Sequence, residues 1–315
     1  MDSANHDHQH APNRFAVIPT PARLNADPSY TGRGVTVAFL DSGFYPHPDL
    51  LTPRNRIVAY HDVAGERCSL VSSGPSESWQ WHGTQTVVSA TGDGKLSDGV
   101  YRGVAHESAL VLVKASERGR ITEENIARGI DWVIANRERY RIRVLNISLG
   151  GDEDVPCSKS IIDQAAEEAI SHGIVVVAAA GNSGGEGRHS IPPANSPSVI
   201  TVGGYLYHSN FGATADGTVK PEIVAPAMWI AAPILPGTEF YERAEALSRQ
   251  AENRSDVEAV AAAEDRRDAL SARGWNVFRG ADCDVDRGPD DRGKPLADAG
   301  CDQEHSDFHG GSNRY

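Results

Sequence analysis

The chain has 315 residues, of which 39% are hydrophobic, and its formal net charge is -13 at pH 7. This length allows one large α/β domain or two smaller ones, each with a sizeable buried core. The negative charge argues against nucleic acid or an anionic membrane as a partner, and no apolar run approaches the roughly 20 residues that span a bilayer.

The first 30 residues predict a flexible leader. The segment opens MDSANHDHQH and has no basic region followed by an apolar one, so no secretory signal is expected and the cytoplasm is the default location. His6, His8 and His10 alternate with acidic and amide residues, and a solvated segment is favoured there over metal chelation. The four cysteines show no C-x-x-C spacing, which argues against a zinc ribbon or a redox motif.

Short apolar runs alternate with helical patterns between residues 33 and 226. The helical patterns begin at Thr122, which precedes apolar positions on one face, and at Ser160, after which Gly173 ends the second helix. Near-continuous apolar strands separated by helices indicate a parallel sheet covered on both faces, hence a three-layer, doubly wound α/β fold. The predicted strands are residues 35–40, 109–115, 143–148, 174–180 and 198–204.

Polar or glycine-rich residues directly follow several of these strands. Asp41 ends the first strand, the sequence SLGG follows the third, and Gly181 and Asn182 follow the fourth. Ligands of open α/β sheets bind beyond the carboxyl ends of the strands, so we expect these positions to border one cleft.

Each candidate also has a structural interpretation. Asp41 in Asp-Ser-Gly is typical of a turn, and a lone histidine such as His82 in WHGTQTVVSATGDG is more often structural than catalytic. The glycines of LNISLGG suit an ordinary turn or the close approach of an extended peptide. Asn182 in VVVAAAGNSGG suits a tight turn or the donation of a hydrogen bond to an oxyanion.

Taken in chain order, the segments resemble the signature blocks of one family. GVTVAFLDSGFYPHPDL, WHGTQTVVSATGDG, LNISLGG, VVVAAAGNSGG and KPEIVAP are similar to the successive blocks of the subtilisin-like serine peptidases. The resemblance covers residues 30 to 240, and it implies the subtilisin-like form of the α/β fold, peptide-bond hydrolysis and a polypeptide substrate.

The resemblance implies a role for each matched residue. Asp41 orients His82, which is the general base for a serine hydroxyl and then the acid for the leaving amine. Asn182 donates to the oxyanion of the tetrahedral intermediate. The segments that hold the substrate strand and line the specificity pocket are Ser148, Leu149 and Gly150, and Ala179, Ala180 and Gly181. No cofactor is required; calcium supports many members of the family, but no loop here matches a calcium loop residue by residue.

The family nucleophile lies in Gly-Thr-Ser-x-Ala-x-Pro at the start of a buried helix, and no such block follows KPEIVAP. If the first base of each tail codon is dropped, Trp275 and Asn276 force Gly, and the codons through Cys283 permit G-T-S-F-A-A-P-I-V. Residues 264–274 then permit K-I-V-A-T-H-Y-Q-H-V-D, and residues 284–295 permit T-S-I-V-A-Q-M-I-E-A-N-P, an apolar helix. We therefore expect a reading-frame shift between residues 240 and 264.

Three regions follow from this reasoning: a leader over 1–30, an incomplete peptidase domain over 31–245, and a disordered tail over 246–315 whose natural reading frame is lost. The expected function is a serine endopeptidase that is inactive as translated. The alternative is a catalytically dead relative that binds extended peptides. A nucleotide-binding α/β protein is disfavoured, because no G-x-G-x-x-G follows the first strand.

Overall fold

The computed structural model describes residues 17–66, 69–70, 75–151, 154–183, 189–205 and 209–253, with side chains through residue 246. The histidine-rich start of the leader and the tail from residue 254 onward lie outside the described residues. The helices are α1 (Thr20–Arg23), α2 (Pro48–Leu51), α3 (Trp81–Thr91), α4 (Glu123–Tyr140), α5 (Ile161–Ser171) and α6 (Glu239–Asn253). The strands are β1 (Thr36–Asp41), β2 (Ile57–Asp62), β3 (Ala109–Lys114), β4 (Ile142–Ile147), β5 (Val175–Ala179), β6 (Ile200–Tyr205), β7 (Gly212–Ala213), β8 (Val219–Lys220) and β9 (Ile223–Pro226).

Seven of the described strands form one parallel sheet in the order β2-β3-β1-β4-β5-β6-β9, and β7 and β8 form a separate antiparallel pair. All five strands expected from the apolar runs are present. The sequence pattern missed β2 and β9, which lie at the two edges of the sheet, and the short β7–β8 pair. Both edge strands contain a short apolar run, IVAY at the start of β2 and IVAP in β9, which the sequence reasoning did not assign to strands.

Helices cover both faces of the sheet, which confirms the three-layer α/β prediction. Helices α4 and α5 pack on one face, where Leu40, Ile147 and Ile162 are fully buried. Helix α3 packs against β1 on the other face, where Val87 contacts the cluster around Phe39. The buried positions of β1 and β3 explain why these strands are apolar almost throughout.

The residues predicted to begin α4 and α5, and to end α5, do so in the structure. The Thr122 side chain accepts a hydrogen bond from the Asn125 amide at 3.2 Å, and the Ser160 side chain accepts one from the Asp163 amide at 3.1 Å. Each cap satisfies a backbone donor that the first turn of a helix leaves without a partner. Gly173 follows α5 with φ of 80°, a conformation that favours glycine.

Two elements lie at the boundaries of the predicted peptidase domain. Helix α1 falls within the predicted leader, and the Arg23 guanidinium donates to the carbonyl oxygens of Met228 and Trp229. Helix α6 runs past residue 245 to Asn253. Within the part of the chain that the structure describes, no helix combines the length and the apolar character that crossing a membrane requires.

Candidate active site

Asp41 and His82 are in direct contact at the carboxyl edge of the sheet. Asp41 is the last residue of β1, and His82 is in the first turn of α3, which packs on that strand. The Asp41 Oδ1 and His82 Nδ1 atoms are 2.8 Å apart, which is a short, charge-assisted hydrogen bond. The carboxylate is buried, whereas 48% of the His82 side chain is exposed, so the imidazole is open to a substrate.

The start of α3 can approach the turn after β1 only because two glycines lie between them. A Cβ atom at Gly83 would lie 2.3 Å from the Gly43 carbonyl oxygen and 2.9 Å from the Asp41 Cβ. A Cβ atom at Gly43 would lie 2.1 Å from the Trp79 ring. The glycines of Asp-Ser-Gly and His-Gly-Thr therefore provide the close packing that brings the carboxylate to the imidazole.

The carboxylate is fixed in place by its own turn. The Ser42 amide donates to Asp41 Oδ1 at 2.7 Å, and the Ser42 hydroxyl donates to the Trp79 carbonyl oxygen at 2.7 Å. The hydrogen bond that His82 donates to Asp41 raises the pKa of His82 above its ordinary value, against the opposing effect of burial. The other carboxylate oxygen, Oδ2, is buried and accepts no hydrogen bond from the described residues.

This arrangement selects one tautomer of His82. With Nδ1–H donating to the carboxylate, the lone pair of Nε2 is left to accept a proton from another group. The positive charge that then forms on the ring is stabilised by the same carboxylate. The pair can thus act as a base toward a hydroxyl or thiol and afterwards as an acid.

The predicted substrate segments leave the sheet side by side. Ser148, Leu149 and Gly150 directly follow β4, and residues 179–181 include the end of β5, which pairs with β4 through Ile147 and Ala178. The Ser148 hydroxyl accepts from Asn146 at 3.1 Å. A Cβ at Gly150 would lie 2.9 Å from the Pro192 carbonyl oxygen, so this residue packs closely against the segment before β6.

The second segment is held by β6 and by Asn210. Ala179 is exposed, whereas Ala180 is 1% exposed and its amide donates to the Val202 carbonyl oxygen at 3.0 Å. Gly181 has φ of 100°, and its carbonyl oxygen accepts from the Asn210 amide at 3.0 Å. Asn182 is exposed at the same edge of the sheet, beyond β5, and its role as an oxyanion donor stays a prediction.

Sequence reasoning missed a buried charged cluster beside this site. Lys114, the last residue of β3, is fully buried, and its Nζ atom lies 3.0 Å from Asp62 and 2.7 Å from Glu66. The ammonium group also donates to the Ser116 carbonyl oxygen at 2.6 Å and lies 5.0 Å from the centre of the Trp79 ring. A lysine at the end of an otherwise apolar strand is the signal that a search for buried charges would have used.

A buried carboxylate hydrogen-bonded to an accessible imidazole is the arrangement that serine hydrolases use for acid–base catalysis, and here it lies at the carboxyl edge of a parallel α/β sheet. The family model of the subtilases matches residues 32–259, and the chain belongs to the Subtilase family of serine peptidases.

Named relatives agree with this assignment. The chain is 35% identical over 218 residues to the serine protease AprX of Bacillus subtilis (strain 168), an alignment that covers 63% of this chain and 47% of AprX. It is 34% identical over 235 residues to a subtilisin of Bacillus pumilus, covering 73% of this chain and 77% of that protein. Sphericase has a similar structure, with a TM-score of 0.54 and 25% identity over 69% of this chain and 76% of its own. The matched region thus spans about half of AprX.

Proposed function

We propose that this sequence derives from a serine endopeptidase that cleaves extended polypeptides through an acyl-enzyme. The observation that carries the proposal is the 2.8 Å contact between Asp41 and His82 at the carboxyl edge of the sheet. Similarity to the serine protease AprX supports the same reaction class.

The residues present suit the two proton transfers of that reaction. His82 Nε2 takes the proton of a serine hydroxyl as its oxygen attacks the substrate carbonyl carbon, and the charged ring is stabilised by Asp41. The tetrahedral intermediate then collapses, the peptide C–N bond breaks, and His82 returns the proton to the leaving amine. Asn182 is proposed to donate to the oxyanion, and residues 148–150 to hold the substrate backbone.

The serine itself is proposed to be lost from this chain by a shift of the reading frame. The family match continues to residue 259, which supports an intact frame up to that point. From residue 264 onward the offset triplets permit a family-like sequence. Together these observations support a shift between residues 259 and 264, inside the interval that the sequence alone predicts.

The nucleotide sequence across this interval is the first test. We expect in-register Gly, Thr and Ser codons in the offset frame across codons 275–278. A gene without them eliminates the frame shift, whatever the activity of the protein.

A fluorophosphonate probe, which labels only activated serines, is the second test. The 315-residue chain should not be labelled, and the frame-restored chain should be labelled at the serine encoded across codons 277 and 278. His82→Gln in the restored chain should abolish labelling, whereas His172→Gln, at the end of α5 and hydrogen-bonded to the Glu168 carbonyl oxygen, should not. An unlabelled restored chain that still binds extended peptides supports the dead-enzyme alternative instead.

A further inference from the structure

An open cleft lies beside the acid–base pair, on the side away from the two predicted substrate segments. The cleft encloses about 490 Å³ and is lined by two carboxylates, one indole and one guanidinium, namely those of Glu66, Glu77, Trp79 and Arg118. Glu66 follows β2 and Arg118 follows β3, whereas the substrate segments follow β4 and β5. Strand β1, which ends at Asp41, lies between β3 and β4, so a peptide that crosses from the substrate segments to the cleft passes the pair.

Trp79 connects this cleft to the acid–base pair. Its carbonyl oxygen accepts a hydrogen bond from the Ser42 hydroxyl at 2.7 Å, and the Ser42 amide donates to Asp41 at 2.7 Å. Trp79 also lies three residues before His82, in the single 3₁₀ turn that leads into α3. Because an extended peptide advances by about 3.3–3.6 Å per residue, the cleft is placed to receive a side chain one or two residues from the bond at His82.

Glu66 is held as a carboxylate by the chain itself. Its Oε2 atom accepts from the Lys114 ammonium at 2.7 Å, and the Arg118 amide donates to its Oε1 atom at 3.1 Å. The hydrogen bond from Lys114 lowers the pKa of Glu66 below its ordinary value, so the group is ionised at neutral pH. The fully buried carboxylate of Asp62, 3.0 Å away, already balances the Lys114 charge, and Glu66 therefore adds negative potential to the cleft.

Glu77 and Trp79 supply a second fixed acceptor and an aromatic wall. The Trp79 indole N–H donates to Glu77 Oε2 at 2.6 Å, and the Glu77 side chain also accepts from the Gln80 amide in a capping box. The Lys114 Nζ atom lies 5.0 Å from the centre of the Trp79 ring, so this ring already stabilises one cation. A carboxylate beside an indole suits an ammonium or guanidinium group, which pairs with the first and packs on the second.

Arg118 is the only basic side chain among the four that line the cleft. It is exposed, and its guanidinium forms no ion pair with a carboxylate of the described residues. Two carboxylates against one guanidinium give the lining a formal charge of −1. Since hydrogen bonds hold both carboxylates while the Arg118 side chain is free to turn toward solvent, the cleft favours an entering cation over an entering anion.

We propose that this cleft is a subsite for a lysine or arginine side chain of a bound polypeptide, one or two residues from the bond at which His82 acts. The inference rests on the proposed function and adds a substrate preference to it. Glu66 and Glu77 determine the preference, and Trp79 is the surface on which the basic side chain packs.

The test is the binding of extended peptides to the full 315-residue chain, which we expect to bind them without cleavage. Each peptide is a fluorescein-labelled, alanine-rich octapeptide with one arginine, norleucine or glutamate, moved through every position in turn. In fluorescence anisotropy, arginine at one position or at two adjacent ones should strengthen saturable binding about fivefold or more over norleucine. The preference should shrink as salt rises from about 50 mM to about 500 mM, because charges in an open cleft are screened.

Matched variants assign the preference to the cleft. Glu77→Gln keeps the shape of the side chain and an oxygen that can accept from Trp79, but it removes the charge, so the arginine preference should fall to about twofold or less. Arg118→Gln removes the competing cation and should strengthen binding of the arginine peptide. Glu168→Gln, on α5 with 60% of its side chain exposed, removes a carboxylate elsewhere and should change neither quantity. Circular dichroism verifies that each variant retains its secondary structure.

Four outcomes overturn the proposal: no saturable binding of any peptide, equal binding of arginine and norleucine peptides at every position, an arginine preference that survives Glu77→Gln, or a glutamate preference that Arg118→Gln abolishes. Failure of the proposed function is distinguishable. A frame-restored chain that the fluorophosphonate probe labels, but that cleaves arginine and norleucine peptides equally, supports the chemistry and contradicts the subsite. An arginine preference that Glu77→Gln removes, in a chain whose restored form is not labelled, supports the subsite and contradicts the chemistry.

Discussion

The contact between α3 and the turn after β1 makes Gly83→Ala a sensitive test of how the site is assembled. The added Cβ would be 2.3 Å from the Gly43 carbonyl oxygen, whereas such atoms ordinarily approach to about 3.3 Å. The helix start must therefore move by about 1 Å. That displacement would lengthen the 2.8 Å bond between Asp41 and His82 beyond hydrogen-bonding distance.

Overpacking of this kind costs about 1–3 kcal/mol, and the better helix propensity of alanine offsets up to about 1 kcal/mol of it. We therefore expect a net loss of about 1–2 kcal/mol in the free energy of unfolding, measured by urea denaturation. The pKa of His82 should fall toward its ordinary value, because the hydrogen bond that His82 donates to Asp41 is what raises it. The His82 resonance can be followed by NMR and assigned with the His82→Gln variant.

Gln85→Ala, in the same helix, is the matched control, because it also introduces alanine but places no new atom against the turn. It should change neither the stability by more than about 0.5 kcal/mol nor the titration of His82. If Gly83→Ala leaves both quantities as they are in the parent chain, close packing at Gly83 does not hold the pair together.

Three further predictions concern charged groups. Asp41→Asn should lower the pKa of His82, measured by NMR. In the parent chain the pair contributes its full stabilisation below pH 6.5, and this contribution is lost as the pH rises through the raised pKa of His82. Lys114→Met should lower the free energy of unfolding by about 3–5 kcal/mol, because it leaves the Asp62 carboxylate buried without its cation. Asp62→Leu in that background should recover most of the loss. A double variant as unstable as the single one contradicts the ion-pair explanation. Burial raises the pKa of Asp163, which is 0% exposed, from 3.8 to about 7, so stability should fall by about 3 kcal/mol between pH 4 and pH 7. Asp163→Asn should flatten that dependence, and an unchanged pH profile of unfolding rules out this residue as its source.

The order and type of the central elements were predictable from local patterns. Apolar runs identified β1, β3, β4, β5 and β6, because the internal strands of a parallel sheet are rich in apolar side chains. Thr122 and Ser160 identified the starts of α4 and α5, because helix starts need side-chain acceptors. The edge strands β2 and β9 have apolar runs of only about four residues, and these were not predicted as strands.

The sequence by itself determined the fold class and the family, since periodicity, caps and the order of the signature blocks are all properties of short segments. The family resemblance predicted that Asp41 meets His82, but only the tertiary structure showed that their contact depends on α3 packing against β1 through Gly83. The structure alone also showed that Lys114 is buried among carboxylates and that Val175 and Ile200 lie open on an internal part of the sheet. Burial and contact between distant residues arise from strand order and register, and no local pattern of residues contains that information.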